Sequence, residues 1–212
     1  VQVIASENPA RTQRLLTRYE IQTPMMRYTD AYQRKKRQRS AAVLDALQEG
    51  DVALVSEAGM PGLADPGFEL IAAGQARGVP VVPVPGPTAL SAALSVAGIP
   101  AERFRFLGFL PRGRSARRRL LEPLARSPLT IVAYESPHRL LDTLAILDEL
   151  FGERPLAAAC ELTKLYEEVQ RGTASELLAR FREKKPRGEF TLVIAGAGSG
   201  EPARRTQEEG AK

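Results

Sequence analysis

The strongest constraint in this sequence is an alternation: short apolar runs, each closed by a tight turn and followed by a helix-forming stretch. Val1-Gln2-Val3-Ile4-Ala5 reads as a strand rich in β-branched residues. Asn8-Pro9 suits a helix start, because Asn accepts an amide hydrogen bond and Pro is preset for the first helical turn, so a helix is predicted through Tyr19. A second helix is predicted over Tyr32 to Glu49, stopped by Gly50. Val52-Ala53-Leu54-Val55 then has the continuous apolar character of a strand buried on both faces. The rhythm repeats with a turn at Gly59 to Gly67, a helix at Phe68 to Arg77, a strand at Val79 to Val84, a helix at Thr88 to Ala97 and a strand at Phe104 to Phe109. Such an order predicts an α/β fold with a mostly parallel sheet covered by helices.

The first α/β domain is expected over residues 1–110. Pro111-Arg112-Gly113-Arg114 reads as a hinge into a second over 111–197. There a helix to about Arg126 precedes strands at Leu129 to Tyr134, Pro155 to Cys160, Glu167 to Gly172 and Phe190 to Ala195. Helices are predicted at Pro137 to Phe151 and ending near Arg182, and the tail over 198–212, without apolar periodicity, is expected to be disordered. Val1 is not a start methionine, so the chain reads as beginning inside a structured pattern.

Composition narrows the chemistry. No apolar run approaches the roughly 20 residues of a membrane-spanning helix, and residues 1–14 carry no signal pattern, so a cytoplasmic protein without a membrane partner is expected. A single cysteine, Cys160, and a single histidine, His138, exclude a disulfide framework and argue against a Cys/His zinc site. The excess of 30 Lys and Arg over 25 Asp and Glu, net +5, tilts the partner towards a polyanion. Two basic clusters stand out: Arg34-Lys35-Lys36-Arg37 with Arg39, and Arg112, Arg114, Arg117, Arg118 and Arg119. A solvated helix face accounts equally well for such runs.

The richest segment is Ser56-Glu57-Ala58-Gly59-Met60-Pro61-Gly62-Leu63-Ala64-Asp65-Pro66-Gly67, which follows a strand and precedes a helix. Its glycines and prolines make an ordered loop whose backbone can approach a ligand closely, and in an open α/β sheet ligands sit beyond the carboxyl ends of the strands. A plain turn with Asp65 capping the helix is the competing reading. Pro85-Gly86-Pro87-Thr88 forms a second rigid loop of this kind. Neither matches a P-loop, and Gly196-Ala197-Gly198-Ser199-Gly200 leads into no helix, which counts against nucleotide hydrolysis and dinucleotide chemistry. Later, Tyr134-Glu135-Ser136-Pro137-His138-Arg139 and Glu161-Leu162-Thr163-Lys164 gather ionisable residues at strand ends. A Ser hydrolase elbow is absent, and His138 reads first as a helix-start residue making local hydrogen bonds.

Together with Phe106-Leu107-Gly108-Phe109-Leu110-Pro111 and Arg187-Gly188-Glu189, these segments make the chain resemble the tetrapyrrole methylase superfamily, and within it the ribosomal RNA small subunit methyltransferase I family. The likeness runs from Ser6 to Gly196. It implies two α/β domains, the first with a mainly parallel and the second with a mixed sheet, a cofactor cleft between them, and a homodimer. It also implies S-adenosylmethionine as cofactor and 2'-O-methylation of a cytidine ribose in 16S ribosomal RNA as the reaction, on ribosomal RNA or the small subunit. By this likeness Ser56, Glu57, Ala58, Gly59, Met60, Pro61, Gly62, Asp65, Pro85, Gly86, Pro87, Thr88 and Tyr134 contact the cofactor. Arg112, Arg114, Arg117, Arg118 and Arg119, with Arg34, Lys35 and Lys36, hold RNA phosphates. The family's opening strand, Thr-Pro-Ile-Gly-Asn turn and helix are not in this sequence, and Glu7-Asn8-Pro9-Ala10-Arg11 and Tyr28-Thr29-Asp30-Ala31-Tyr32 depart from its pattern. Removing the proton of a ribose hydroxyl calls for a base, and Lys164, Glu135 and Glu161 are the candidates, with Lys164 first. A methylase for a small tetrapyrrole-like substrate and an RNA-binding paralogue without catalysis are the alternatives.

Overall fold

The computed structural model describes residues 1–29 and 33–198, with backbone alone for 33–37. The chain divides into two compact units, Val1–Thr88 and the residues from Ala89 onward. The sequence reading drew the boundary near Leu110. The strand Phe104–Phe109 pairs with Thr130–Glu135, so residues 89–110 gather with the second unit.

In the first unit the order is β1 (Val3–Ser6), α1 (Pro9–Arg18), β2 (Met25–Arg27), α2 (Gln33–Ala46), β3 (Val52–Val55) and α3 (Phe68–Ala76). Asn8 caps α1 by accepting from the Arg11 amide, and Pro9 stands in its first turn, as the sequence predicts. The strands form a parallel sheet in the order β2-β1-β3. Ala5, Tyr28, Val43, Leu44 and Leu70 make its core. β2 has only three residues, one of them Arg27, too short for any periodicity to reveal.

Two expectations fail here, for one physical reason. Val79 to Val84 is not a strand, and Val52–Val55 is half-buried rather than enclosed. Pro80, Pro83 and Pro85 have no amide proton, so this stretch cannot donate a regular ladder to the free edge of β3. Val82 and Val84 are accordingly about four-fifths exposed, at 80% and 82%.

The second unit holds α4 (Ala89–Ala97), β4 (Phe104–Phe109), α5 (Arg114–Leu121), β5 (Thr130–Glu135), α6 (Leu140–Phe151), β6 (Leu156–Cys160), β7 (Glu168–Gly172), α7 (Ala174–Glu183) and β8 (Phe190–Ile194). A 3₁₀ turn, Glu122–Leu124, extends α5. The mixed sheet runs β4-β5-β8-β6-β7, with β4 parallel to β5 and every other pairing antiparallel. Side chains alternate along its strands. Ile131, Ala133, Leu192 and Ile194 face the core with Leu144, Leu147 and Leu177, whereas Val132, Val193, Ala157 and Ala159 face Ala93 and Ala97 of α4. Helices on both faces explain why β5, β6 and β8 read as unbroken apolar runs. Among the described residues no helix is long and apolar enough to cross a membrane. The tail beyond residue 198 and residues 30–32 lie outside the described residues.

Gly67, the residue before α3, has φ +143°, and a Cβ there would lie 3.1 Å from Leu54 Cδ2 and 3.2 Å from the Gly62 amide nitrogen. It ties the end of the glycine-rich loop to β3. Gly67→Ala is expected to lower stability by about 1–3 kcal/mol in urea denaturation, from backbone strain together with the clash.

Candidate functional site

In a parallel sheet all strand ends point the same way, so Glu7 after β1, Arg27 and Thr29 at and beyond the end of β2, and Glu57 after β3 meet on one edge. With Asn8 they line a cavity of about 400 Å³. Glu7 Oε2 accepts from the Glu57 amide at 2.9 Å, and Glu57 Oε1 pairs with Arg11 Nη1 at 2.7 Å. Beneath them the buried hydroxyls of Ser6 and Thr12 lie 2.7 Å apart and fix α1 to β1. Sequence reasoning missed Glu7 and Arg27 as site residues. Their signal was position alone, each closing a short strand.

Ser56, Glu57, Ala58, Gly59, Met60, Pro61, Gly62 and Asp65 share the single loop after β3, and the Ser56 hydroxyl donates to the carbonyls of Ala58 and Gly59. Gly59, Gly62 and Ala64 take positive φ, which coils the loop back on itself. A Cβ on Gly59 would meet only the Pro87 carbonyl oxygen, at 3.9 Å, and one on Gly86 would meet nothing within 4 Å. The loops 56–67 and 85–88 are thus neighbours with open backbone. Both loops therefore leave backbone open to close approach by a ligand.

In the second unit β4, β5 and β6 run in one direction and end together. Tyr134 is packed edge-on by Phe106 and Phe109, at centroid distances of 5.0 and 5.3 Å, and its hydroxyl accepts from the Leu90 amide in the first turn of α4. Glu135 is fully buried, at 0% side-chain exposure. Its Oε2 accepts from Thr143 Oγ1 at 2.6 Å and Arg117 Nη1 at 3.4 Å, and its Oε1 from the Ser136 amide at 2.7 Å and Arg139 Nη2 at 2.6 Å. A carboxylate so enclosed has no lone pair left for a substrate.

The same network spends much of the arginine cluster. Arg117 is 1% exposed and held by Glu135, Arg114 pairs with Asp142 and Glu149, and Arg118 with Glu149. The hinge region is therefore fastened to α6. Arg112 and Arg119 stay exposed and, among the described residues, make no ion pair. Arg34, Lys35 and Lys36 fall on α2, with side chains outside the described residues.

Glu161, Thr163 and Lys164 form a turn after β6 in which Glu161 and Thr163 take positive φ. Lys164 Nζ lies 3.0 Å from Glu161 Oε1 and 3.7 Å from Glu189 Oε2, and its side chain is 51% exposed, so it is not desolvated by burial. The Lys164 ammonium, with the Glu189 amide, holds the Glu161 carboxyl below the usual carboxylate range. Gly188 makes room for this arrangement, since a Cβ there would lie 2.5 Å from Glu161 Cγ. Cys160, whose Sγ donates to the Arg187 carbonyl, has its thiol pushed up to about 11 by burial and by the neighbouring carboxylates of Glu161 and Glu168, and is inert as a nucleophile near neutral pH. His138 is exposed in the turn before α6.

Two outcomes follow from this geometry. Glu135→Ala takes from the buried Arg117 its buried carboxylate partner, leaving it Asp142 Oδ2 at 3.8 Å, and is expected to cost about 3–5 kcal/mol in chemical denaturation. For Glu161, a carboxyl held low in the folded state contributes stability above its unfolded value of about 4.3 and loses it as pH falls through the folded value. The stability advantage of the parent over Glu161→Gln is expected to be constant from pH 7 to 5 and to shrink below about pH 4.3.

Known proteins supply the frame for these observations. The family of tetrapyrrole (corrin/porphyrin) methylases matches residues 1–178. A protein of Thermotoga maritima named ribosomal RNA small subunit methyltransferase I is 44% identical over 92% of this chain and 87% of its own length. One of the same name from Synechocystis is 46% identical over 93% of this chain and 70% of its own. Among solved structures, uroporphyrin-III C-methyltransferase of Thermus thermophilus complexed with S-adenyl homocysteine shares the fold, with a TM-score of 0.60 at 18% identity over 92% of this chain and 85% of that one. The chain belongs to the tetrapyrrole methylases and, within them, to the ribosomal RNA small subunit methyltransferase I family, and it is an enzyme of the methyltransferase class.

Proposed function

We propose that this enzyme transfers a methyl group from S-adenosylmethionine to a ribose 2'-oxygen of a cytidine in the RNA of the small ribosomal subunit, acting in the cytoplasm as a homodimer. The observation that carries this reading is the sequence identity to the two named ribosomal RNA methyltransferases across most of the chain. The open loops 56–67 and 85–88 support it as the cofactor's seat, through Ser56 to Asp65 and Pro85 to Thr88. When bound, S-adenosylmethionine supplies an electrophilic methyl group.

The chain's own residues must hold the acceptor and take its proton. Alignment supplies much of the acceleration in such an in-line displacement. Of the three candidate bases, Glu135 is enclosed, and Glu161 and Lys164 engage each other, with the Lys164 side chain the more exposed, at 51% against 22%. Lys164 Nζ is assigned as proton acceptor in its neutral amine form, the ammonium having first released a proton to solvent, with Glu161 and Glu189 orienting it. Phosphates are assigned to Arg112 and Arg119, the members of the arginine cluster not tied into ion pairs.

The direct test is methyl transfer to small ribosomal subunits that lack the modification, followed by digestion to nucleosides. A 2'-O-methylcytidine product supports the reading; a methylated base, or transfer only to a tetrapyrrole, contradicts it. Lys164→Met is expected to slow transfer by about 10²–10⁴-fold with cofactor affinity unchanged. Replacing Arg112 and Arg119 together by Ala is expected to weaken RNA binding and reduce the salt dependence, a log-log slope, by about 2.

A further inference from the structure

We infer that the cavity at the carboxyl edge of the first sheet seats a nucleotide of the substrate RNA, its ribose 2'-hydroxyl and base amino donors on Glu7 and Glu57 and its phosphate on Arg27. This rests on the ribosomal RNA reading above and deepens it by naming where the acceptor strand enters. The cavity, about 400 Å³, falls within the roughly 300–1,000 Å³ typical of small-molecule sites.

Its lining selects the ligand. Glu7 uses Oε2 for the Glu57 amide and Glu57 uses Oε1 for Arg11, so each carboxylate keeps a second oxygen with no hydrogen-bond partner among the described residues. Both oxygens are held in place by those bonds and can only accept. Arg27 stands on the same rim, exposed and without an ion pair among the described residues. Two carboxylates disfavour a bare polyanion, and the cations Arg11 and Arg27 disfavour a metal ion. A molecule with neutral hydrogen-bond donors beside a phosphate meets every group, and a nucleotide within an RNA strand offers both, through its 2'-hydroxyl, the amino group of its base and its phosphate.

Topology separates this pocket from the loops assigned to the cofactor. The sheet order β2-β1-β3 puts the cavity over β1 and β2, while loops 56–67 and 85–88 lie on the β3 side, where Gly59 neighbours Pro87. Glu57 is the single residue common to both. Donor and acceptor sites side by side are what a direct transfer between two bound molecules requires.

The experiment compares the parent chain with Glu7→Gln and Arg27→Ala. The glutamine still offers an oxygen to the Glu57 amide, so the loop is retained, and thermal denaturation verifies this. With small ribosomal subunits as substrate, Glu7→Gln is expected to raise KM by about tenfold or more, while the Kd for S-adenosylmethionine by calorimetry stays within about twofold. Arg27→Ala, a change at an exposed side chain, is expected to raise KM severalfold in the same way, with thermal denaturation as the check on folding. A parallel loss of cofactor affinity would overturn the inference by giving the cavity to the cofactor. Unchanged constants for both variants would overturn it by leaving the cavity without a ligand. If the parent chain itself transfers nothing to small subunits, the ribosomal RNA reading falls and this inference with it, an outcome distinct from an active parent with indifferent variants.

Discussion

The second unit is organised around one buried charge. Glu135, at the end of the inner strand β5, accepts from a helix on either side of it in sequence and from the turn that follows. A carboxylate is tolerated at zero exposure only when every lone pair is matched, and here two guanidinium groups, a hydroxyl and an amide do so. Arg117 and Arg139 are thereby fixed, α5 and α6 are drawn over the end of the sheet, and the ends of β4 and β5 are held at a defined height. Tyr134, one residue earlier and on the opposite face of the pleat, gains its place against Phe106 and Phe109 from the same anchor.

That anchor changes the meaning of the charge count. A cluster of five arginines in eight residues reads in the sequence as a patch for phosphates. Three of its members are instead committed to Glu135, Asp142 and Glu149. Of that cluster, Arg112 and Arg119 are exposed and make no ion pair among the described residues.

Much of this was legible in the residues. The strands β1, β3, β4, β5, β6 and β8 follow from apolar runs, α1 from Asn8-Pro9, and the tight loop after β3 from the glycines that take positive φ at 59, 62 and 67. Hidden from the sequence were features that depend on contacts distant along the chain. A strand at Val79 to Val84 needs a partner that its prolines refuse, Lys164 needs a buried setting that the turn does not provide, and Arg117 needs Glu135 to be recognised as structural. Glu7 and Arg27 escaped notice because nothing in a short strand announces which residue will overhang its end. Local chemistry could be read, whereas the choice between an internal and an external partner for each charge could not.

The claim on which the account turns is that the loops after β3 and before α4 form a cofactor seat in this chain. Calorimetric titration of S-adenosylmethionine into the folded protein tests it most directly. Saturable binding of about one molecule per chain, with slowed hydrogen exchange in the amides of 56–67 and 85–88, is the expected result. A folded chain that releases no binding heat and shows no protection in either loop would contradict it.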